Sequence, residues 1–331
     1  MSEGKIENLV SVAAIIRNDS EIIDSYIKET IDILKKSFTN YELVLIDNGS
    51  TDDSVSKIKK MQLSIENIRL IILSRQYHDE IAYTAALEQC IGDFVVLMDI
   101  NTDPPSLIPE LVKNCIEGHE TVVAERSDRK YDSFIEKLFS QGFYKISRLL
   151  TGYNVNPKLG NFFAFSRRSV NSIVNIKDKN RYLKYLIHEV GYSHNKISYN
   201  KIKRLDGRRK GSFLELFAFA VEIIVSNSNR LIRIASLIGL LAGLLNLIYI
   251  FYAVIYYIVA TFLLGKKIVP GWTTTAVVNS VMFFLIFLIL AIFSEYLTRI
   301  LRETKGGNLY FIREELNSCV FPKNVDRKNV V

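Results

Sequence analysis

The sequence predicts an α/β chain: a mostly parallel sheet domain, followed by interfacial helices and a two-helix transmembrane hairpin. Three observations carry this expectation. Short β-rich apolar runs alternate with amphipathic stretches through residues 8–125. Two long segments nearer the C-terminus, 234–265 and 268–294, contain no charged residue. The basic residues of this 331-residue chain, whose net charge is +7, gather around those two segments and at 201–210 ("KIKRLDGRRK") instead of forming one long run.

The alternation can be followed element by element. "LVSVAAII" leads into an amphipathic stretch at 20–36, and "ELVLID" precedes a helix opened by Ser50 or Thr51, both good caps. "IRLIIL" leads into 80–90, "DFVVLMD" into 105–117, and "ETVVA" closes the series. Runs that are apolar throughout, each followed by a helix, predict parallel strands buried on both faces. Ligands of such sheets bind beyond the carboxyl ends of the strands, so "LIDNGSTDDS" and "LMDINTDPP" should face one cleft.

After residue 126 the pattern changes. The segments 134–150 and 213–225 are apolar on one helical face. The second stands behind the basic cluster and ahead of an uncharged segment, which predicts an interfacial helix. Each uncharged segment exceeds the about 20 residues needed to cross a bilayer, and only "KKIVPGW" separates them. Arg230, Arg233, Arg299, Arg302, Lys305 and Arg313 lie outside the pair, against Lys266 and Lys267 within it. That asymmetry predicts an inner-membrane protein with two spans, its active site and both termini cytoplasmic. The expected boundaries are 1–210 for the sheet domain, 211–233 for the interfacial helix, 234–298 for the hairpin and 299–331 for a C-terminal tail.

Several classes are excluded. The polar N-terminus is no signal peptide. The three cysteines are dispersed and offer neither a zinc spacing nor a disulfide framework. No Gly-x-Gly-x-x-Gly follows the first strand, which removes a dinucleotide-binding dehydrogenase, and nothing resembles a nucleic-acid-binding module.

The chemistry concentrates at "VVLMDINTDPP". Asp99 is the acid at a strand end, Asn101 offers a carbonyl oxygen, and Asp103 stands before two prolines. Hard oxygen ligands in this setting suit Mg²⁺ or Mn²⁺, which would offset charge developing on a diphosphate leaving group. A capping acid before the prolines is the structural alternative for Asp103. Asp47 and Asn48 end the second strand, where a short polar side chain can bond a base or ribose, or else close a turn into the next helix.

The chain resembles the glycosyltransferase family 2 enzymes that load a sugar onto a polyprenyl phosphate, the bactoprenol glucosyltransferases and dolichol-phosphate-mannose synthases. "SVAAIIRNDSE", "LVLIDNGSTDDS", "RQYHDEIAYTAAL", "MDINTDPP", "ERSDRKYDSF", "GNFFAFSRRSV", "PGWTTT" and "SEYLTRILRETKGGNLY" carry the resemblance, in order, over nearly the full length. It implies a GT-A, Rossmann-like fold and transfer of one sugar, with inversion, from a UDP-glucose-like donor to undecaprenyl phosphate. It places Asn18, Asp47, Asn48, Ser50, Arg75 and Asp99 on the donor side and Asp99, Asn101 and Asp103 at a divalent cation. Asp99, Asp103 and Asn161 are the expected catalytic positions, and Arg126, Arg129 and Arg204 the expected grip on the acceptor phosphate. Partners implied are the nucleotide sugar, the lipid, a membrane, a second copy of the chain, a flippase and a downstream glycosyltransferase acting on O-antigen or another surface glycan.

The sequence departs from the family pattern at Ile15, Arg17 and His78, where a proline, a tyrosine and a glycine are usual, and at three positions of the expected site. Asn101 stands for an aspartate, Asn161 for the aspartate of "GDF", and Phe163 for an arginine. These departures leave a second reading open, a non-catalytic membrane subunit with a decayed donor site. A chain-extending synthase fits worse: its Gln-x-x-Arg-Trp signature is missing, and the single tryptophan, Trp272, lies between the uncharged segments' polar borders.

Overall fold

The computed structural model describes residues 5–127, 159–176, 181–200, 271–304 and 308–318, with isolated positions between 237 and 259. The chain divides into two units. One comprises Met1–Arg148, Tyr153–Phe213 and Gly307–Val331; the other comprises Leu149–Gly152 and Leu214–Gly306.

The first unit holds eight described strands in one sheet: β1 (Ile6–Ile16), β2 (Phe38–Asp47), β3 (Ile68–Leu73), β4 (Phe94–Asp99), β5 (Thr121–Arg126), β6 (Leu159–Ser166), β7 (His194–Tyr199) and β8 (Ile312–Asn317). Their order is β7-β5-β6-β4-β1-β2-β3-β8. β1 pairs parallel with β2 and β4, β2 with β3, and β5 with β7. β6 runs antiparallel between β4 and β5, and β8 antiparallel against β3. The sheet is therefore mixed: β1 to β4 form the parallel run expected from the sequence, whereas β5, expected to close that run, is cut off from β4 by antiparallel β6 and is parallel to β7.

Among the described residues, six α-helices belong to this unit: α1 (Ile23–Ser37), α2 (Ser54–Gln62), α3 (Asp79–Gln89), α4 (Ile108–Ile116), α5 (Arg167–Asn175) and α6 (Leu183–Val190). In α1, Ile23, Ile27, Ile31 and Leu34 recur at helical spacing and are buried. They meet Val10, Val12, Ala14 and Ile16 of β1, and α4 adds Ile108, Leu111, Val112 and Cys115 to the same core. α3 covers the opposite face, where Ala82, Ala85 and Ala86 let it approach the sheet closely.

On that second face an ion network, fully buried at Arg69 and Glu42, joins the strands at the ends away from the loops after β2 and β4. Arg69 of β3 donates to Glu42 of β2 at 3.0 Å, to Glu315 of β8 at 3.0 Å and to the carbonyl of Gln89 at 2.7 Å. Glu42 also accepts from Ser11 Oγ at 2.5 Å and from the Ile91 N–H at 2.9 Å. Desolvating these charges is costly and is offset only because the hydrogen bonds around Glu42 and Arg69 are so many.

The second unit contains α7 (Trp272–Thr304), 33 residues long. Phe283, Phe284, Phe287, Leu290 and Phe293 are exposed on it. Among the described residues, no helix is long and apolar enough to cross a membrane. This corrects the expectation of a two-span hairpin at 234–298 and of an inner-membrane location with both termini cytoplasmic. The first expected span is described only at isolated positions, and the segments 134–150, 201–210 and 211–233 lie outside the described residues.

The expected tail also differs. Residues 312–317 are not a tail but the eighth strand, and they complete the sheet's edge beside β3.

Candidate active site

Parallel strands bring their carboxyl ends to one edge. Ile16 of β1 is in register with Asp47 of β2, and Ile15 with Asp99 of β4. Asp47 and Asp99 therefore end strands on either side of β1, about 10 Å apart by strand spacing. Antiparallel β6 delivers Asn161 to this edge, two residues before Phe163, which pairs with Leu97. β5 ends there at Arg126, in register with Tyr199 of β7.

The loop after β1 and the loop after β2 are tied together. Asn18, in the left-handed region at φ 53°, accepts at its amide oxygen from Thr51 N at 2.6 Å and Thr51 Oγ1 at 3.2 Å, while its own N–H donates to Ser50 Oγ at 3.0 Å. Ser50 N–H donates to Asp47 Oδ1 at 3.1 Å. Asp52 accepts from Ser20 N–H and Ser54 N–H at 3.0 Å each. Asn18, Asp47 and Ser50 thus form one constellation. Asn48 is placed differently: it is fully buried, and its amide bonds the backbone of Tyr77 in both directions, at 2.9 and 2.8 Å. It straps the loop after β2 to the loop after β3. Arg75 is exposed in that second loop, its guanidinium 4.6 Å above the ring of Tyr77.

At the end of β4 the three expected positions separate into two kinds. Asp99 is half-buried, and its Oδ1 accepts the N–H of Asn101 at 2.9 Å. Asn101 is buried, donates its amide N–H to Asp19 Oδ1 at 3.0 Å, and leaves its own Oδ1 without a hydrogen-bond partner. A buried amide oxygen without a donor is costly and suits a cation. Asp103, by contrast, is spent on the protein. One oxygen accepts the Asp99 N–H at 2.9 Å, and the other accepts Tyr199 Oη at 2.7 Å and Thr102 Oγ1 at 3.3 Å. Burial pushes its carboxyl up to about 6, and the Asp99 charge adds to that push.

Among the described residues, no three His, Cys, Asp or Glu side chains are grouped to hold a metal ion. The residues that fit a divalent cation are Asp99 and the Asn101 carbonyl. One carboxylate and one amide oxygen form a sparse set, of the kind completed by waters and by phosphates of a bound ligand.

On the other side of the cleft, the amide N–H of Asn161 donates to Tyr83 Oη at 3.0 Å. Burial, with Asp99 nearby, holds the Tyr83 phenol protonated far above its ordinary range. Arg126 lies against Gly160: a Cβ there would meet its Nε at 3.2 Å, its Nη2 at 3.3 Å and Tyr199 Oη at 3.3 Å. Arg126 Nε is buried and has no hydrogen-bond partner. Phe163 is fully buried and provides no polar group to the cleft. Arg129 and Arg204 lie outside the described residues.

Asp19, Tyr83 and Tyr199 escape the sequence reading. Asp19 stands only three residues beyond β1, in "RNDSE", so position alone marks it; the two tyrosines reach the cleft only through helix and sheet packing.

The model of Glycosyl transferase family 2 matches residues 11–174. CsbB of Bacillus subtilis (strain 168), named as a candidate glycosyltransferase, is 32% identical over 310 residues, which cover 89% of this chain and 91% of the relative. The bactoprenol glucosyl transferase of Shigella phage SfX is 26% identical over 92% of this chain and 98% of its own. The crystal structure of glucosyl-3-phosphoglycerate synthase from Mycobacterium tuberculosis, in complex with Mn²⁺, UDP and phosphoglyceric acid, has a TM-score of 0.49 at 18% identity, covering 66% of this chain and 77% of that one.

Proposed function

Because the chain belongs to glycosyl transferase family 2, we propose that this glycosyltransferase moves a single sugar from a nucleotide donor to a polyprenyl phosphate, with inversion at the anomeric carbon. The donor we infer is UDP-glucose-like, and the acceptor undecaprenyl phosphate or a close analogue. The single observation that carries the reading is the pairing, across one strand-end cleft, of an Asp99/Asn101 oxygen pair with Arg126, whose buried Nε has no hydrogen-bond partner. The near full-length similarity to a bactoprenol glucosyl transferase supports the choice of acceptor.

The donor half is built from Asn18, Asp47 and Ser50, with Arg75 at its rim. Asp99 and the Asn101 carbonyl would hold Mg²⁺ or Mn²⁺, which when bound supplies positive charge to the departing diphosphate. Arg126 receives the acceptor phosphate, for which a guanidinium is well shaped. An oxygen of that phosphate attacks the anomeric carbon, the bond from that carbon to the diphosphate breaks, and the nucleoside diphosphate leaves with the electron pair. The acceptor is already anionic near neutral pH, so no strong base has to take its proton. Asn161 accordingly acts by position, its amide fixed on Tyr83, and an asparagine serves there. Asp103 supports Asp99 instead of binding the cation. Residues 1–210 are assigned as the catalytic domain, together with the strand 312–317.

The test is release of nucleoside diphosphate by the purified full chain from a panel of sugar nucleotides, with and without undecaprenyl phosphate, and with Mg²⁺, Mn²⁺ or chelator. Release that needs both lipid and metal supports the reading and identifies the sugar. Release to water or to phosphoglyceric acid with equal efficiency would sink the acceptor assignment.

A further inference from the structure

We propose that Tyr77, clamped by Phe311 just ahead of strand β8, is a positioning residue that presents Arg75 to the diphosphate of the nucleotide donor, so that the segment leading into β8 completes the donor half of the cleft. The proposal rests on the reading of that cleft as a nucleotide-sugar site.

Tyr77 is immobilised at both ends. Its backbone is gripped by the buried amide of Asn48 at 2.8 and 2.9 Å. Its phenol oxygen accepts the N–H of Phe311 at 3.1 Å and lies 3.0 Å from Ser74 Oγ. Phe311 in turn accepts the Ser74 N–H at its carbonyl, at 2.8 Å. Tyr310, one residue earlier, donates to Glu88 of α3 at 2.5 Å. Residues from the far end of the sequence therefore fix the aromatic ring at the carboxyl end of β3.

The outer face of that ring carries Arg75, at 4.6 Å. A guanidinium held over an aromatic ring loses little further freedom when its N–H groups meet a phosphate. Unstacked, the same exposed side chain would have to be ordered by the ligand at an entropic cost. The loop is also held at the right distance from the turn that follows β2. Gly49, at φ 80°, sits where a Cβ would lie 3.1 Å from Gln76 N and 3.2 Å from Gln76 Cα. Arg75 thus neighbours the Asp47–Ser50 turn through direct backbone packing. The ligand chemistry that such an arrangement selects is a dianionic group arriving beside that turn, the diphosphate of a nucleoside diphosphate.

The experiment is calorimetric titration of the full chain with UDP and with GDP, alongside steady-state kinetics, for wild type, Arg75→Ala, Tyr77→Leu, Tyr77→Phe and the Arg75→Ala/Tyr77→Leu double variant. Arg75→Ala and Tyr77→Leu are each expected to raise the nucleotide Kd and the donor KM about fivefold to tenfold, with kcat and acceptor KM within about twofold. The double variant should match Arg75→Ala, since the ring acts through the guanidinium. Tyr77→Phe keeps the ring, folds most safely, and should fall between wild type and Tyr77→Leu. Unchanged nucleotide affinity in both Tyr77 variants, or a double variant whose loss is the sum of the single losses, would overturn the proposal while leaving the cleft assignment intact. A wild type that binds neither nucleotide would instead overturn the cleft assignment, and the proposal with it.

Discussion

Tyr199 donates a 2.7 Å hydrogen bond to Asp103 Oδ1, and the second oxygen of Asp103 holds the backbone N–H of Asp99 at 2.9 Å. The last residue of β7 therefore sets the position of the acid that ends β4, although β5 and β6 lie between them in the sheet. Tyr199→Phe should keep the edge-on contact of its ring with Phe162, at 5.6 Å, and remove only the hydroxyl. The buried Asp103 oxygen is then left with Thr102 alone. A loss of about 1–3 kcal/mol in stability is expected, with kcat lowered about tenfold. Urea unfolding and steady-state rates on the same preparation check both; full activity in a destabilised variant would remove Tyr199 from the support of Asp99.

Asn101→Asp should change metal response and intrinsic stability in opposite directions. Its amide now donates to Asp19 at 3.0 Å. A carboxylate in its place faces Asp19 and Asp99 with like charge, so the chelated variant should melt below wild type. With Mn²⁺ added, the second carboxylate strengthens the hard-oxygen set, so the upward shift in melting temperature should exceed that of wild type. Thermal melts with chelator and across a Mn²⁺ series read both effects, and equal Mn²⁺ shifts in the two proteins would argue against a cation at Asn101.

Gly160→Ala is expected to act on the acceptor alone. The new methyl would sit 3.2–3.3 Å from the Arg126 guanidinium and Tyr199 Oη, so Arg126 must shift by a few tenths of an ångström. An acceptor KM raised several-fold, with donor KM unchanged, is the expected result of initial-rate measurements. The reverse split would place Arg126 on the donor side.

Asp52 gives a pH dependence with a definite sign. Partial burial pushes its carboxyl up, but the bonds from Ser54 and Ser20 outweigh this and hold it at about 2, below the ordinary 3.8. A carboxyl depressed by folding contributes stability at pH values above about 4, and that contribution is lost as pH falls from about 4 to 2. Asp52→Asn should therefore be less stable than wild type at pH 7, and the two denaturation midpoints should converge by pH 2. A constant gap across that range would contradict the assignment.

How much of this was legible in the sequence depended on how local each signal was. β1 to β5 could be read because strands buried on both faces are apolar throughout, and because helices such as α1 show their buried side at 23, 27, 31 and 34. β7 ("HNKISY") and β8 ("IREELN") are polar and mostly exposed. What makes them strands is a partner far away in sequence, so no window of residues reveals them. The same holds at the cleft. Asp99, Asn101 and Asp103 could be picked out together, but not the division of labour that spends Asp103 on Tyr199 and Asp99 N–H. Asn48 stood at a strand end, but its reciprocal bonds to the Tyr77 backbone join loops that lie 29 residues apart, so no window of residues reveals them.

The edge pairing of β8 with β3 also orders events during synthesis. Leu70 pairs with Leu316, so a growing polypeptide exposes the open edge of β3 until residues 312–317 have emerged. Domains tend to fold from the N-terminus as they emerge, and an unpaired strand edge invites association with another chain. Residues 312–317 therefore close that edge late. A product clipped before them keeps Arg69 without Glu315 and an edge that quality-control factors or aggregation can seize.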